Sequence, residues 1–221
     1  MQVTLISASR AVDHDAAHLT DVQQLVAYCA RVSNPTNQAN TLTSDKLIQY
    51  LIDHGHWSPL EMASACLEVN TTRDIARQIL RHRSFSFQEF SQRYADPTKD
   101  LNFATREARL QDNKNRQNSI EVDDPLLHHA WAHAQQRVID AAKQEYEWAI
   151  AHGIAKEQAR AVLPEGLMGT RIYMAGSIRS WVHYISVRTK PDVQKEHRDV
   201  ARACADALTT IFPMIQQFVA T

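Results

Sequence analysis

The chain has 221 residues, 44% of them hydrophobic, and its 24 Lys+Arg against 25 Asp+Glu give a formal net charge of -1. That length accommodates one good-sized core, so residues 1–221 are expected to form a single domain, and the near-neutral balance provides no whole-molecule field for nucleic acid or an anionic membrane. Any basic site must be local. No apolar run is long enough to span a bilayer, and the start, Met1-Gln2-Val3-Thr4, lacks the basic region and long apolar stretch of a signal peptide, so a cytoplasmic protein is expected. Cys29, Cys66 and Cys204 are odd in number and unpaired in spacing, which argues against a disulfide framework or a zinc knuckle and for buried reduced thiols.

Val3 to Ser7 is a β-branched run suited to an N-terminal strand. Ala16 to Val32 reads as a helix with Leu19, Val22, Leu25, Val26 and Cys29 on one face, broken by Asn34-Pro35-Thr36-Asn37. Thr43-Ser44-Asp45 caps a further helix, with Leu47, Ile48, Leu51 and Ile52 at helical spacing, that ends at Gly55. The segment His54-Gly55-His56-Trp57-Ser58-Pro59-Leu60-Glu61 follows; its two histidines raise a metal, but Glu61 is the only further ligand nearby. Ala63, Ala65, Leu67 and Val69 then alternate with Ser64, Cys66 and Glu68, the period of a strand with one buried face.

Thr71 with Asp74 resembles a capping box, opening a helix expected to run through Arg83 with Ile75, Ile79 and Leu80 on its apolar side. Arg73, Arg77 and Arg81 fall four apart and so share a face. Ala95 to Asp124 is a polar excursion, expected to be partly mobile and to lend at least one strand to the sheet. Asp124-Pro125 starts a long helix to Gly153, with Leu127, Trp131, Ala134, Val138, Ala141 and Ala142 predicted inward and His128, His129 and His133 read as surface histidines. A short helix from Lys156 to Leu163 stops at Pro164, and Gly176-Ser177 opens a helix that carries Arg179 and His183 on one face and breaks at Thr189 to Pro191. The last helix, from Asp192 or Val193, bears the stripe Val193, His197, Val200, Ala201, Cys204, Leu208 and Ile211 until Pro213, and reads as structural. The whole predicts an α+β fold, a small mainly antiparallel sheet covered by helices.

The stretch Arg81-His82-Arg83-Ser84-Phe85-Ser86-Phe87-Gln88-Glu89-Phe90-Ser91-Gln92-Arg93-Tyr94 is too polar for a core element and too apolar for a solvated loop. Arginine forks and serine hydroxyls suit phosphate oxygens, while Phe and His faces suit a planar ring, so the chemistry points to a nucleotide or a flavin. With 5 glycines and neither common glycine-rich phosphate loop, such a ligand would be gripped by side chains.

Arg-His-Arg followed after seven residues by Ser91, with Glu89 before it and Arg93-Tyr94 closing the run, resembles the signature of the flavin-dependent thymidylate synthases, the ThyX family. The resemblance extends in order from His56 to Arg188, through Gln78, Arg160 before Leu163-Pro164, and Ser177, Arg179 and His183; Ser177 and His183 stand where some members have asparagines. It implies a ThyX-like fold and a homotetramer with active sites between subunits. By the same resemblance Gln78, Arg81, Glu89, Ser91, Gln92, Arg93, Arg160 and Arg188 hold dUMP, the arginines and Ser91 nearest its phosphate. FAD falls to His56, Ser58, Arg81, His82, Arg83, Glu89, Ser177, Arg179 and His183, with Glu61 beside them. NADPH is the implied reductant and 5,10-methylenetetrahydrofolate the one-carbon donor. Arg188 is the catalytic residue, a permanent cation at the uracil edge that stabilises negative charge on the ring, in place of a cysteine nucleophile. Two other classes fit parts of the sequence: a single-stranded RNA-binding module using the arginines and aromatics of Arg81 to Tyr94, and a metal-dependent nucleotide phosphohydrolase using the 11 histidines.

Overall fold

The structure, a computed structural model, describes residues 1–13 and 16–220. Its centre is a four-stranded sheet in the order β1 (Gln2–Ala8), β2 (Ser64–Thr72), β6 (Gly169–Ser177) and β3 (Ser86–Glu89), every neighbouring pair antiparallel. The expected α+β class and the first two strands are as read from the sequence. On β2, Ala65, Leu67 and Val69 are buried between less buried Ser64, Cys66 and Glu68, the alternation that one covered face imposes. Leu67 pairs with Met174 and Val69 with Ile172 across to β6, all four fully buried.

Two strands of the sheet were not expected. β6 carries its own alternation, Thr170, Ile172 and Met174 buried between Arg171, Tyr173 and Ala175, in a segment to which the sequence reading assigns no element before the helix start at Gly176. β3 is the arginine motif itself, which leaves its helix early and pairs Ser86 to Ala175 and Glu89 to Ile172. Conversely, the polar excursion adds no strand to this sheet. It contains α4 (Pro97–Asp100) and a separate hairpin of β4 (Arg109–Gln111) and β5 (Ser119–Glu121), and meets the sheet's end through a bridge from Phe103 to Met168, the Asn102 carbonyl accepting from the Gly169 amide at 3.0 Å and Arg106 donating to the Thr72 hydroxyl at 3.1 Å.

Helices α1 (Val22–Ala30), α2 (Ser44–Asp53), α3 (Arg73–Ile79), α7 (Ile178–Arg188) and α8 (Lys195–Leu208) pack their apolar faces into one core with Leu67, Val69, Ile172 and Met174. Trp181 is fully buried there and donates its indole N–H to the Ala65 carbonyl at 3.1 Å. α1 begins later than predicted because Asp21, not a residue near Ala16, caps it by accepting from the Gln24 amide at 2.7 Å. α3 is capped at Thr72 rather than Thr71, with the Thr72 hydroxyl donating to Asp74 at 2.6 Å, and it stops at Ile79, which frees Arg81–Arg83 to turn into β3.

The long helix α5 (Pro125–Ala151) starts where expected, Asp124 accepting from the Leu127 amide at 3.0 Å. Its inward face is different. Gln135, Ile139, Ala142, Tyr146 and Ala149 are buried, whereas the predicted Leu127, Trp131 and Val138 remain 37%, 45% and 49% exposed. A second small core forms under it from Ala142, Tyr146 and Ala149 with Ala159 of α6 (Lys156–Ala159), Leu163 and Met168. Among the described residues no helix is long and apolar enough to cross a membrane.

Candidate active site

The turn that ends α3 brings the motif against α7. Arg188, the last residue of α7, donates its Nε hydrogen to Nε2 of His82 at 2.8 Å. A neutral histidine that accepts at Nε2 carries its proton on Nδ1, and this ring is held neutral. Burial, with the charges of Arg188, His183 and Arg81 around it, lowers the His82 pKa to about 4. The His82 ring also stands edge-on to Tyr184 at 5.0 Å, which fixes its plane. Arg188 is thus oriented by a neutral partner; among the described residues it forms no ion pair, and neither do Arg81 and Arg83.

A second cluster surrounds the end of β3. Glu89 accepts from the Thr170 hydroxyl at 2.9 Å and lies 3.3 Å from Arg73 and 3.9 Å from Arg77, while Arg77 also reaches Glu165 at 3.2 Å. Two arginines of the predicted three-arginine face are therefore held in internal ion pairs, and Arg81 alone of the three is uncommitted. Beyond Glu89, the Ser91 hydroxyl accepts from the Arg93 amide at 3.4 Å, and Gln92 is 4% exposed with its amide nitrogen lacking any hydrogen-bond partner. A buried donor without an acceptor is costly, and Arg106 Nε, Arg109 Nη1 and Tyr146 Oη, away from the motif, share this state. Arg93 and Arg160 converge on Glu157, the first through its carboxylate at 3.4 Å and the second through its carbonyl at 3.2 Å.

The other residues expected at the flavin come from the segment before β2 and from α7. Ser58 is exposed at the head of the 3-10 turn Ser58–Glu61, and Glu61 in that turn binds Arg179 of α7 at 3.0 Å. His183 lies one turn beyond Arg179, exposed. Ser177 caps α7, its hydroxyl accepting from the Ser180 amide at 3.3 Å. His56 is exposed with its ring 6.3 Å from that of His54 and makes no contact with Arg179 or His82 among the bonds and ring contacts of the described residues.

Sequence reasoning missed the contribution of α8. Its His197, part of an apolar stripe, is fully buried with Nδ1 3.2 Å from the Gln78 carbonyl oxygen and Nε2 3.2 Å from the Tyr184 hydroxyl. The signal was available: a histidine at a core position of an amphipathic helix needs polar partners inside. Among the described residues no group of three His, Cys, Asp or Glu side chains is placed to hold a metal ion. A cavity of about 600 Å³, bounded by Asn70, Thr72, Arg106, Arg171 and Glu196 among others, includes none of the residues expected to bind substrate or flavin.

The sequence pattern of the family described as "Thymidylate synthase complementing protein" matches residues 16–214. The chain is 50% identical over 191 residues to a flavin-dependent thymidylate synthase of Synechocystis, covering 86% of each. It is 45% identical over 218 residues to a probable flavin-dependent thymidylate synthase of Paramecium bursaria Chlorella virus 1, covering 97% of each. Its fold is similar to that of a UMP/dUMP methylase, PolB of Streptomyces cacaoi, solved with 5-Br dUMP, with a TM-score of 0.80 at 25% identity over 98% of this chain and 93% of that one. The arginine motif, the antiparallel sheet that carries it and these likenesses place the chain in the family of flavin-dependent thymidylate synthases, enzymes of methyl transfer.

Proposed function

We propose that this chain converts dUMP to dTMP with 5,10-methylenetetrahydrofolate as one-carbon donor and NADPH as reductant through FAD, in a homotetramer whose sites lie between subunits. The reaction balances as dUMP, methylenetetrahydrofolate, NADPH and a proton giving dTMP, tetrahydrofolate and NADP⁺. The observation that carries the reading is Arg188, an uncommitted guanidinium fixed by neutral His82 at 2.8 Å. Held beside the pyrimidine, such a group stabilises negative charge on the ring as it becomes nucleophilic, without adding a covalent bond.

The thiols support a route without cysteine. Burial raises the pKa of Cys29, Cys66 and Cys204, the last fully buried in the core, so none is poised as a thiolate. For FAD, the uncommitted cations Arg81 and Arg83 suit a diphosphate, with hydrogen bonds from His82 and Glu89 of the same motif and from His56, Ser58, Ser177, Arg179 and His183 outside it. When bound, the flavin supplies the redox step. For dUMP, Ser91, Gln92, Arg93 and Arg160 suit the phosphate end and Gln78 and Arg188 the base, with Arg81 and Glu89 shared. Arg81, Arg83 and Arg93 are exposed in one chain, which agrees with completion by a second subunit. The single domain over residues 1–221 and a cytoplasmic location belong to the same reading.

The test is dTMP formation by purified protein from dUMP, NADPH and methylenetetrahydrofolate, with added FAD and again after flavin removal. Product that depends on FAD supports the proposal; product undiminished in the stripped protein, or no flavin binding at all, defeats it. A parallel run with UMP in place of dUMP decides which pyrimidine nucleotide is the substrate.

A further inference from the structure

The first turn of α8 is wired to the base-binding amide of Gln78 by hydrogen bonds whose directions can be assigned. Gln78 donates from Nε2 to Oε1 of Gln194 at 2.8 Å, and Gln194 donates from its own Nε2 to Glu196 at 2.9 Å. Glu196 is held in turn by Arg109 of the β4–β5 hairpin. On its other side Gln78 presents Oε1, an acceptor only, to His197 Nδ1 at 3.2 Å, so that nitrogen carries the proton. The remaining nitrogen, Nε2, must then accept from the Tyr184 hydroxyl at 3.2 Å. Every group in the chain has one role, and a flipped Gln78 amide would meet a donor with a donor on one side and an acceptor with an acceptor on the other.

One hydrogen of the half-buried Gln78 amide nitrogen remains without a protein partner among the described residues. We propose that Gln194 and His197 are positioning residues that lock the Gln78 amide in one orientation, so that its free N–H is always offered to a carbonyl oxygen of the pyrimidine. This rests on the placement of dUMP proposed above. Neither residue touches the substrate; each acts through Gln78, and the hairpin behind Glu196 holds Gln194 in turn. Burial, with Arg188 and His82 close by, keeps His197 uncharged, its pKa lowered to about 3, so the assigned directions persist through the physiological range.

The test is a double-mutant cycle read by calorimetric titration of flavin-loaded protein with dUMP. Loss of one fixed hydrogen bond to the base predicts that Gln78→Ala and Gln194→Leu each weaken dUMP by about tenfold. The double variant should bind about as Gln78→Ala does, because Gln194 acts only through that amide. Additive losses, or wild-type affinity in Gln194→Leu, overturn the proposal. Wild-type affinity in Gln78→Ala overturns the placement of the base and this inference with it. Should Gln194→Leu fail to fold, His197 gives an independent reading: Asn keeps an N–H near the Nδ1 position and Leu does not. His197→Asn should bind dUMP within about twofold of wild type and His197→Leu about tenfold more weakly; equal losses overturn the proposal.

Discussion

Arg188, like Arg81 and Arg83, forms no ion pair among the described residues, and that distinguishes it from Arg73 and Arg77, whose charges Glu89 and Glu165 already balance. Replacing Arg188 with Ala removes the cation without removing any internal partner but the ring of His82. The expected outcome is retained flavin, seen by its absorbance, and a turnover lower by about 100-fold or more, the scale for deleting one preorganised electrostatic group. Arg188→Lys is expected not to restore it, since an ammonium has no planar fork to serve His82 and a ring edge together. Near-normal turnover in Arg188→Ala would remove the residue from its role. Ser91→Ala is expected to raise the KM for dUMP while flavin retention stays unchanged; loss confined to flavin would move the phosphate elsewhere. The two neutral histidines give a pH signature. Unfolded, each takes up a proton near its ordinary 6.5, whereas folded His82 resists until about 4 and His197 until about 3. The unfolded chain therefore binds more protons as pH falls below 6.5, and stability declines through that window by about 1.4 kcal/mol per pH unit for a fully buried histidine, less for half-buried His82. Urea midpoints measured between pH 7 and 4 should fall, and His197→Leu should flatten that fall; an unchanged slope in the variant would refute the assignment.

The elements of the sheet depend on close approaches that only small residues permit. At Gly176 an added Cβ would meet the Phe85 ring at 2.5 Å, and that ring is buried against Trp181, 4.7 Å between centroids, so it has nowhere to go. Gly176→Ala is expected to destabilise the protein by about 1–3 kcal/mol through overpacking and to lower the melting temperature. A melting curve identical to wild type would mean that the motif strand can shift freely, and with it Arg81 and Glu89. The same glycines explain what the sequence concealed. β2 was legible because its alternation is uninterrupted, while β6 has equal alternation between Gly169 and Gly176, the second of which read as the start of a helix although it makes room for Phe85 as Gly169 does for the Asn102 carbonyl. The family was legible in the motif because residue type at that spacing is what its members share. Gln194 and Glu196 were not, since polar residues at the start of a helix look like any solvated cap until the fold brings Gln78 beside them.

At the scale of the molecule, α5 has two apolar faces, and periodicity cannot tell which one its own chain covers. Ile139, Ala142, Tyr146 and Ala149 pack inward, so Leu127, Trp131 and Val138, with Trp148 at 53% exposure further along, form a second stripe on the outside. Adjacent exposed apolar side chains at helical spacing carry a cost in water that a partner surface relieves. The proposed homotetramer supplies a partner, a second copy of the chain. Val138→Glu places a charge in the middle of that stripe, at a position 49% exposed. Its expected effect is a lower assembly mass by sedimentation equilibrium, an unchanged far-ultraviolet circular dichroism spectrum, and loss of dTMP formation in proportion to the dissociated fraction. A variant that remains tetrameric would mean copies meet through another surface. Dissociated chains as active per site as the assembly would mean that one chain completes the site alone, and the open arrangement around Arg188 and Ser91 would then need a different occupant.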